Sequence, residues 1–298
     1  MDAVALLQVG SAALLNLGFT WLVGTWFVRR WLPVSSVTGD WLIGLRRHDT
    51  AAIVLTIVAS TAALWAATAV MAGVPLADAG GMFWTMLITS AHGHAGCIAI
   101  AVMFLLLGVR GVGKGSRATE GLALLLLVAF AATRASMGHA GEEGWWTGPH
   151  VAETMHLFAI AVWTGAVIVS AGYALRPLRV QALESAATDH YLDHMSQAAM
   201  VAVIAIVATG IYSAWHRVGS SEHLLHTQYG YTLLAKVGLV LGAIALGGYN
   251  KFIGLPAAAR SAAGIAVVRR VLQIEAVLLL GALAAAAYLT VQQPPAAM

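Results

Sequence analysis

The chain has 298 residues, of which 60% are hydrophobic and only 10% charged, whereas soluble domains carry about 25% charged residues. Its formal net charge is +3, with no basic run outside short connecting segments, so a nucleic-acid role has no support. One cysteine excludes an internal disulfide, and recurrent apolar runs of about 18 residues or more define an all-α, polytopic membrane helix bundle with no soluble domain.

Eight spans are expected, over residues 3–28, 50–72, 83–109, 119–138, 149–174, 195–216, 229–250 and 268–291, within one integral membrane domain covering 1–298. The first run has no basic segment before it and reads as a retained helix rather than a cleaved signal. Segment 30–49 reads as an interfacial turn. Segment 177–194 reads as a polar loop that is helical in part. Thirteen of the sixteen Lys and Arg residues fall in alternate connections: Arg29, Arg30, Arg46 and Arg47; Arg110, Lys114 and Arg117; Arg176 and Arg179; Lys251, Arg260, Arg269 and Arg270. The positive-inside rule makes that side cytoplasmic. Both termini are then extracytoplasmic, and in a Gram-negative cell the protein lies in the inner membrane. Trp84, Trp145 and Trp146 mark the outer edge and Trp31 and Trp41 the inner edge.

A weak internal repeat accompanies this layout. "TSAHGHAG" opens the third span and "HTQYGYTL" the seventh. Aligning Gly93 with Gly230 puts Ser90 on Thr227, and the first and fifth spans share a small motif ending in Gly18 and Gly165. Two four-helix halves in the same orientation account for this pattern.

The histidines are placed unevenly. Eight of eleven lie outside or in the outer half of spans: His92, His94, His139, His150, His156, His216, His223 and His226. His48, His190 and His194 are on the inner side. Imidazole and sulfur ligands at an outer entrance suit a soft or borderline metal. His92 and His94 lie roughly 14–17 Å past Phe83, near the midplane if Phe83 marks the outer boundary. His94 and the lone Cys97 share a helix face, while His92 points about 200° away, so His94 is the preferred ligand and His92 the uncertain one. Met137 and His139 end the fourth span. His150, Glu153 and His156 share a face of the fifth, and polar groups in a span generally face the bundle interior and mark a site. A cluster of His94, His139 and His156, with Cys97 or Met137 nearby, is the expected centre. The alternative for any single histidine is a hydrogen bond to a neighbouring helix. His216, His223 and His226 read as solvated loop residues. Met71, Met82, Met86, Met103, Met200 and Trp163 read as packing. Lys236 needs a partner within the seventh span, and Glu153 is the candidate. Glu275 is a further carboxylate without an evident partner.

Several stretches together resemble the copper resistance protein D family of inner-membrane copper proteins: "TSAHGHAG" at 89–96, "SMGHAGEEG" at 136–144, "MHLFAIAVWTGAVI" at 155–168, "ATGIYSAW" at 208–215 and "HTQYGYTLLAKVGLVLGAIALGGYNKFIGLP" at 226–256. The first two helices add no signature. The resemblance implies copper import from periplasm to cytoplasm, often beside a periplasmic copper-binding protein. It matches the family's histidines to His94, His139 and His156 and its lysine to Lys236. Members often carry an aromatic residue where this chain has His92.

Copper transport is therefore the leading expectation, with copper as cargo and membrane lipid as the surroundings. A non-transporting copper sensor or handover protein is an alternative, because no inner ladder of ligands is visible. A b-type cytochrome holding haem between His92 or His94 and His156 is another, and a structural or assembly protein is a third. No enzyme is expected, since no nucleophile–base pair, phosphate loop or H-E-x-x-H motif occurs; "GVGKGS" at 111–116 lacks the full phosphate-loop spacing. The oligomeric state is not specified.

Overall fold

The computed structural model of the chain describes residues 1–32, 39–112, 116–141, 144–176, 185–218 and 225–292. The helices are α1 (Ala3–Trp31), α2 (Gly39–Ala72), α3 (Gly80–Thr89), α4 (Ala91–Val112), α5 (Arg117–Ser136), α6 (Gly148–Val169), α7 (Ser185–Val218), α8 (Gln228–Tyr249), α9 (Leu255–Ala258) and α10 (Ala262–Leu289). Eight of the described helices are long and apolar enough to cross a membrane, so the all-α, eight-span architecture stands. Two spans end in wide π turns: Ser170–Ala174 after α6 and Asn250–Gly254 after α8.

Three elements differ from expectation. The expected 83–109 span is broken at Ser90, whose extended backbone (φ −101°, ψ 144°) ends α3. Ser90 also caps the next helix: its Oγ accepts from the Gly93 N–H (2.9 Å) and its carbonyl from the His94 N–H (3.0 Å). A serine satisfying a free N-terminal donor is a standard helix start, here hidden in a continuous apolar run. Gly93 then packs on the backbone of Met86 and Leu87, where a Cβ would collide. Segment 30–49 is not simply a turn, since α2 already begins at Gly39. Arg29 Nη2 donates to Asp49 Oδ2 at 2.6 Å, and Trp21 Nε1 to Asp49 Oδ1 at 3.2 Å, which ties the start of α2 to the end of α1. Trp31 lies in the core against Phe27 and Tyr191 rather than at a lipid edge. The side chain of Trp41 lies outside the described residues.

α6 is the centre of the bundle. Its most apolar window is 72% buried, against 11% for the α8 span. It packs on α1, α5, α7 and α10. The α1–α6 crossing is made by Gly24 and Gly165, whose backbones touch so closely that a Cβ on either would strike the other. Small residues permit such approach between membrane helices.

The repeat has a local structural counterpart. Thr227 caps α8 as Ser90 caps α4: its Oγ1 accepts from the Gly230 N–H at 3.0 Å and its carbonyl from the Tyr231 N–H at 3.0 Å. In both halves the first span packs on the second and the third on the fourth, and the first spans of the two halves meet along α1 and α6.

Candidate metal centre

The break at Ser90 changes where the third-span histidines sit. Measured from Ala91, His92 and His94 lie in the first turn of the crossing helix, roughly 2–5 Å from its start. The ring of His94 is exposed, and its Nε2 lies 2.6 Å from the Ile88 carbonyl. Cys97 shares that exposed face. His92 turns the other way, half-buried, toward α5, with the Met137 backbone and the Arg134 guanidinium nearby.

Arg134 is the hub of this end of the bundle. It lies close enough to Glu153 on α6 for direct charge interaction. It also lines a small cavity with Leu15, Asn16, Phe19, Phe130, Ala131 and Leu157. His150, one turn before Glu153, is buried to 3% exposure. Its Nε2 bonds the Ala132 carbonyl on α5 at 3.1 Å, its Nδ1 has no partner, and its ring lies against Trp145. Met137 caps α5 and is half-buried. A single 3₁₀ turn, His139–Gly141, follows it against α5 and α6. The His139 side chain lies outside the described residues, as do the His216 side chain and all of His223.

His156 faces elsewhere. Its Nδ1 is 2.9 Å from Thr209 Oγ1 on α7, and Gly210 leaves room for the ring edge. The structure thus brings His92, Met137, Arg134, Glu153 and His150 to one end of α4, α5 and α6, but gives His94 and His156 to different neighbours. Among the described residues no three His, Cys, Asp or Glu side chains form a group fit to hold a metal ion. The same separation of partners applies to a haem held between His94 and His156. His92 is half-buried and His94 exposed, and the turn at Ser90 sets which of the two faces inward.

Lys236 is half-buried on α8. Trp163, expected only to pack, donates from Nε1 to Glu275 Oε1 at 2.8 Å. A pairing on the opposite side was not anticipated: His190 and His194, one turn apart on α7, stack with ring centroids 4.1 Å apart. Their i,i+4 spacing was the available signal.

Eight apolar crossings, a glycine-packed central helix and imidazoles gathered at one end of the bundle define a polytopic membrane protein with a polar site at a helix end. The family model for the copper resistance protein D-like N-terminal domain matches residues 1–149, and that for copper resistance protein D matches residues 190–289. The chain belongs to the copper resistance protein D family. The first two helices, which carried no recognisable signature, fall within the N-terminal match. Neither the curated proteins nor the solved structures contain a match.

Proposed function

We propose that this chain carries copper inward across a bacterial inner membrane, with the histidine-bearing end of α4, α5 and α6 facing the periplasm. Membership of a copper resistance family supports copper as the cargo. The alternation of basic connections supports the direction in which the bundle is set.

The observation that carries the entry site is the inward turn of His92 onto the end of α5, beside Met137. Imidazole with a thioether is a donor set suited to Cu(I). His150 is held one helix away with Nδ1 unpartnered, and His139 follows Met137 by two residues. Arg134 next to Glu153 gives the carboxylate a counter-charge, which lowers the cost of keeping it ionised near lipid. His94 and Cys97 lie on the exposed face and serve as an outer collecting pair rather than as the centre. His156 is a support bonded to Thr209, placed to turn toward the site when α6 and α7 shift.

The stacked His190–His194 pair supplies an imidazole site at the other end of the path, where the sequence had offered no ladder. A periplasmic copper-binding protein is the natural donor to the outer end. Copper accumulation in cells tests the assignment. Loss of a true ligand in His92→Ala should lower uptake by at least the roughly 10- to 100-fold that follows loss of a ligand's outer-shell partner; His94→Ala should change it far less. Equal loss in both variants, or loss only in His94→Ala, overturns the His92 assignment.

A further inference from the structure

The most unusual group outside the entry site is Glu275. It is 2% exposed and lies within α10, roughly 8–9 Å past Arg269 and Arg270, the basic residues at the inner edge of that span. Oε1 accepts from Trp163 on α6, and Oε2 has no hydrogen-bond partner. On the adjacent helix, Asn250 is 4% exposed, and both its Nδ2 and Oδ1 are unpartnered. Buried polar atoms in native proteins are nearly always paired, so three orphaned atoms on two side chains of one helix seam are exceptional.

Their placement is built by the fold. A Cβ on Gly247 would lie 3.6 Å from Glu275 Oε1, and one on Gly254 would lie 2.7 Å from Asn250 Oδ1 and 3.0 Å from Val268. The α8–α10 seam therefore sets residue 247 opposite 275 and 254 opposite 268. Asn250 falls about one turn from Glu275 on that seam. Asn250 opens one of the two π turns, and both π turns pack on α10. Such turns are frequent at functional sites because they free backbone groups and permit a shift in register.

The charged and titratable groups of the surrounding elements are directed elsewhere. Arg269 donates from Nε to the Ala171 carbonyl at 3.0 Å, Lys251 reaches Met200, and Arg29 on α1 pairs with Asp49. Tyr173 faces Gly44 and His48 on α2. Arg270, Tyr249 and Tyr288 are exposed. Arg30 stacks over Trp26. His150, Glu153 and His156 belong to the other end of α6, and Lys236 lies eleven residues before Gly247 on α8. Among the described residues Glu275 has no ion pair.

We propose that Glu275 is a proton-binding site buried in the inner half of the membrane, loaded and emptied through Asn250. In the empty state the carboxylate accepts from Trp163 Nε1–H and from Asn250 Nδ2–H. A proton binding at Oε2 gives a neutral carboxyl whose O–H donates to Asn250 Oδ1. The amide has a donor and an acceptor, so it serves both states, and the π turn lets it move toward Glu275. A permanently neutral acid would need an acceptor at Oε2, and a permanent anion a counter-charge; neither is in place. The coupling of this proton to copper rests on the transport reading above, while the proton site itself does not.

Infrared difference spectroscopy of the full-length protein in lipid nanodiscs, titrated between about pH 5 and pH 9, tests the site. The wild type should show a buried-carboxyl carbonyl band that disappears as pH rises and is absent in Glu275→Gln. Asn250→Leu should keep the band and move its midpoint by about one pH unit or more. A wild-type band that does not change across this range, or an unaltered band in Glu275→Gln, overturns the proposal. If Glu275→Gln does not fold, Asn250→Leu and Trp163→Phe decide: unchanged band position and midpoint in both overturn it. In proteoliposomes, an inward proton gradient should speed copper uptake by the wild type but not by Glu275→Gln. Wild-type uptake that ignores the gradient overturns the coupling. No wild-type uptake at all overturns the transport reading, and the infrared titration still decides the proton site.

Discussion

Asp49 shows how single charges set the frame of this bundle. It is 2% exposed, accepts from Arg29 and Trp21, and joins α1 to α2 at the end where the basic residues collect. Removing one partner of a buried ion pair leaves the other charge uncompensated, at a cost of about 3–5 kcal/mol. Asp49→Asn should therefore lower the thermal midpoint of the protein in detergent by several degrees, and the double change Arg29→Met with Asp49→Leu should recover most of the loss. A midpoint unchanged in Asp49→Asn contradicts a structural role for the pair. His92 and His94 illustrate the same scale at the proposed entry site. Two residues apart on one helix, they cannot face the same way, and the choice between them depends on the capping hydroxyl of Ser90. The position and type of each histidine were legible in the sequence. The inward partner was not, because the serine cap lay inside an unbroken apolar run.

At the scale of elements, α6 organises the molecule. Its stripe of small residues meets α1 at Gly24 and Gly165, and its other faces present His150 and Glu153 toward α5, His156 toward α7 and Trp163 toward α10. One helix thereby touches both the proposed entry site and the buried carboxylate of Glu275. Gly165→Val should force α1 and α6 apart and destabilise the protein by about 1–3 kcal/mol, whereas Gly108→Val, facing open space on α4, should leave the thermal midpoint nearly unchanged. Equal effects from the two substitutions contradict the crossing. The number and order of spans followed from apolar run length and basic connections. The π turns could not be read, because widening a helix by one residue per turn leaves hydropathy unaltered. The Glu275–Trp163 bond could not be read either, because it links residues 112 apart.

The described residues form a pair of four-span halves around the α1–α6 contact, with polar groups stationed along its depth: His92 and His150 at one end, Glu275 buried in the other half, and His190 and His194 at that far end. With eight crossings, both termini fall on one side. With the basic connections in the cytoplasm, a phosphatase joined after Met298 should be active in the periplasm, and a fusion within the 110–117 connection should be inactive; the reverse pattern contradicts the sidedness of the path. Copper entry between α4 and α5 is the central claim. Its direct measurement is X-ray absorption at the copper edge on the full-length protein loaded with Cu(I), comparing wild type, His92→Ala and His94→Ala. Entry at His92 predicts nitrogen and sulfur neighbours in the wild type and in His94→Ala, with the imidazole signal reduced in His92→Ala. Identical spectra for wild type and His92→Ala would contradict it.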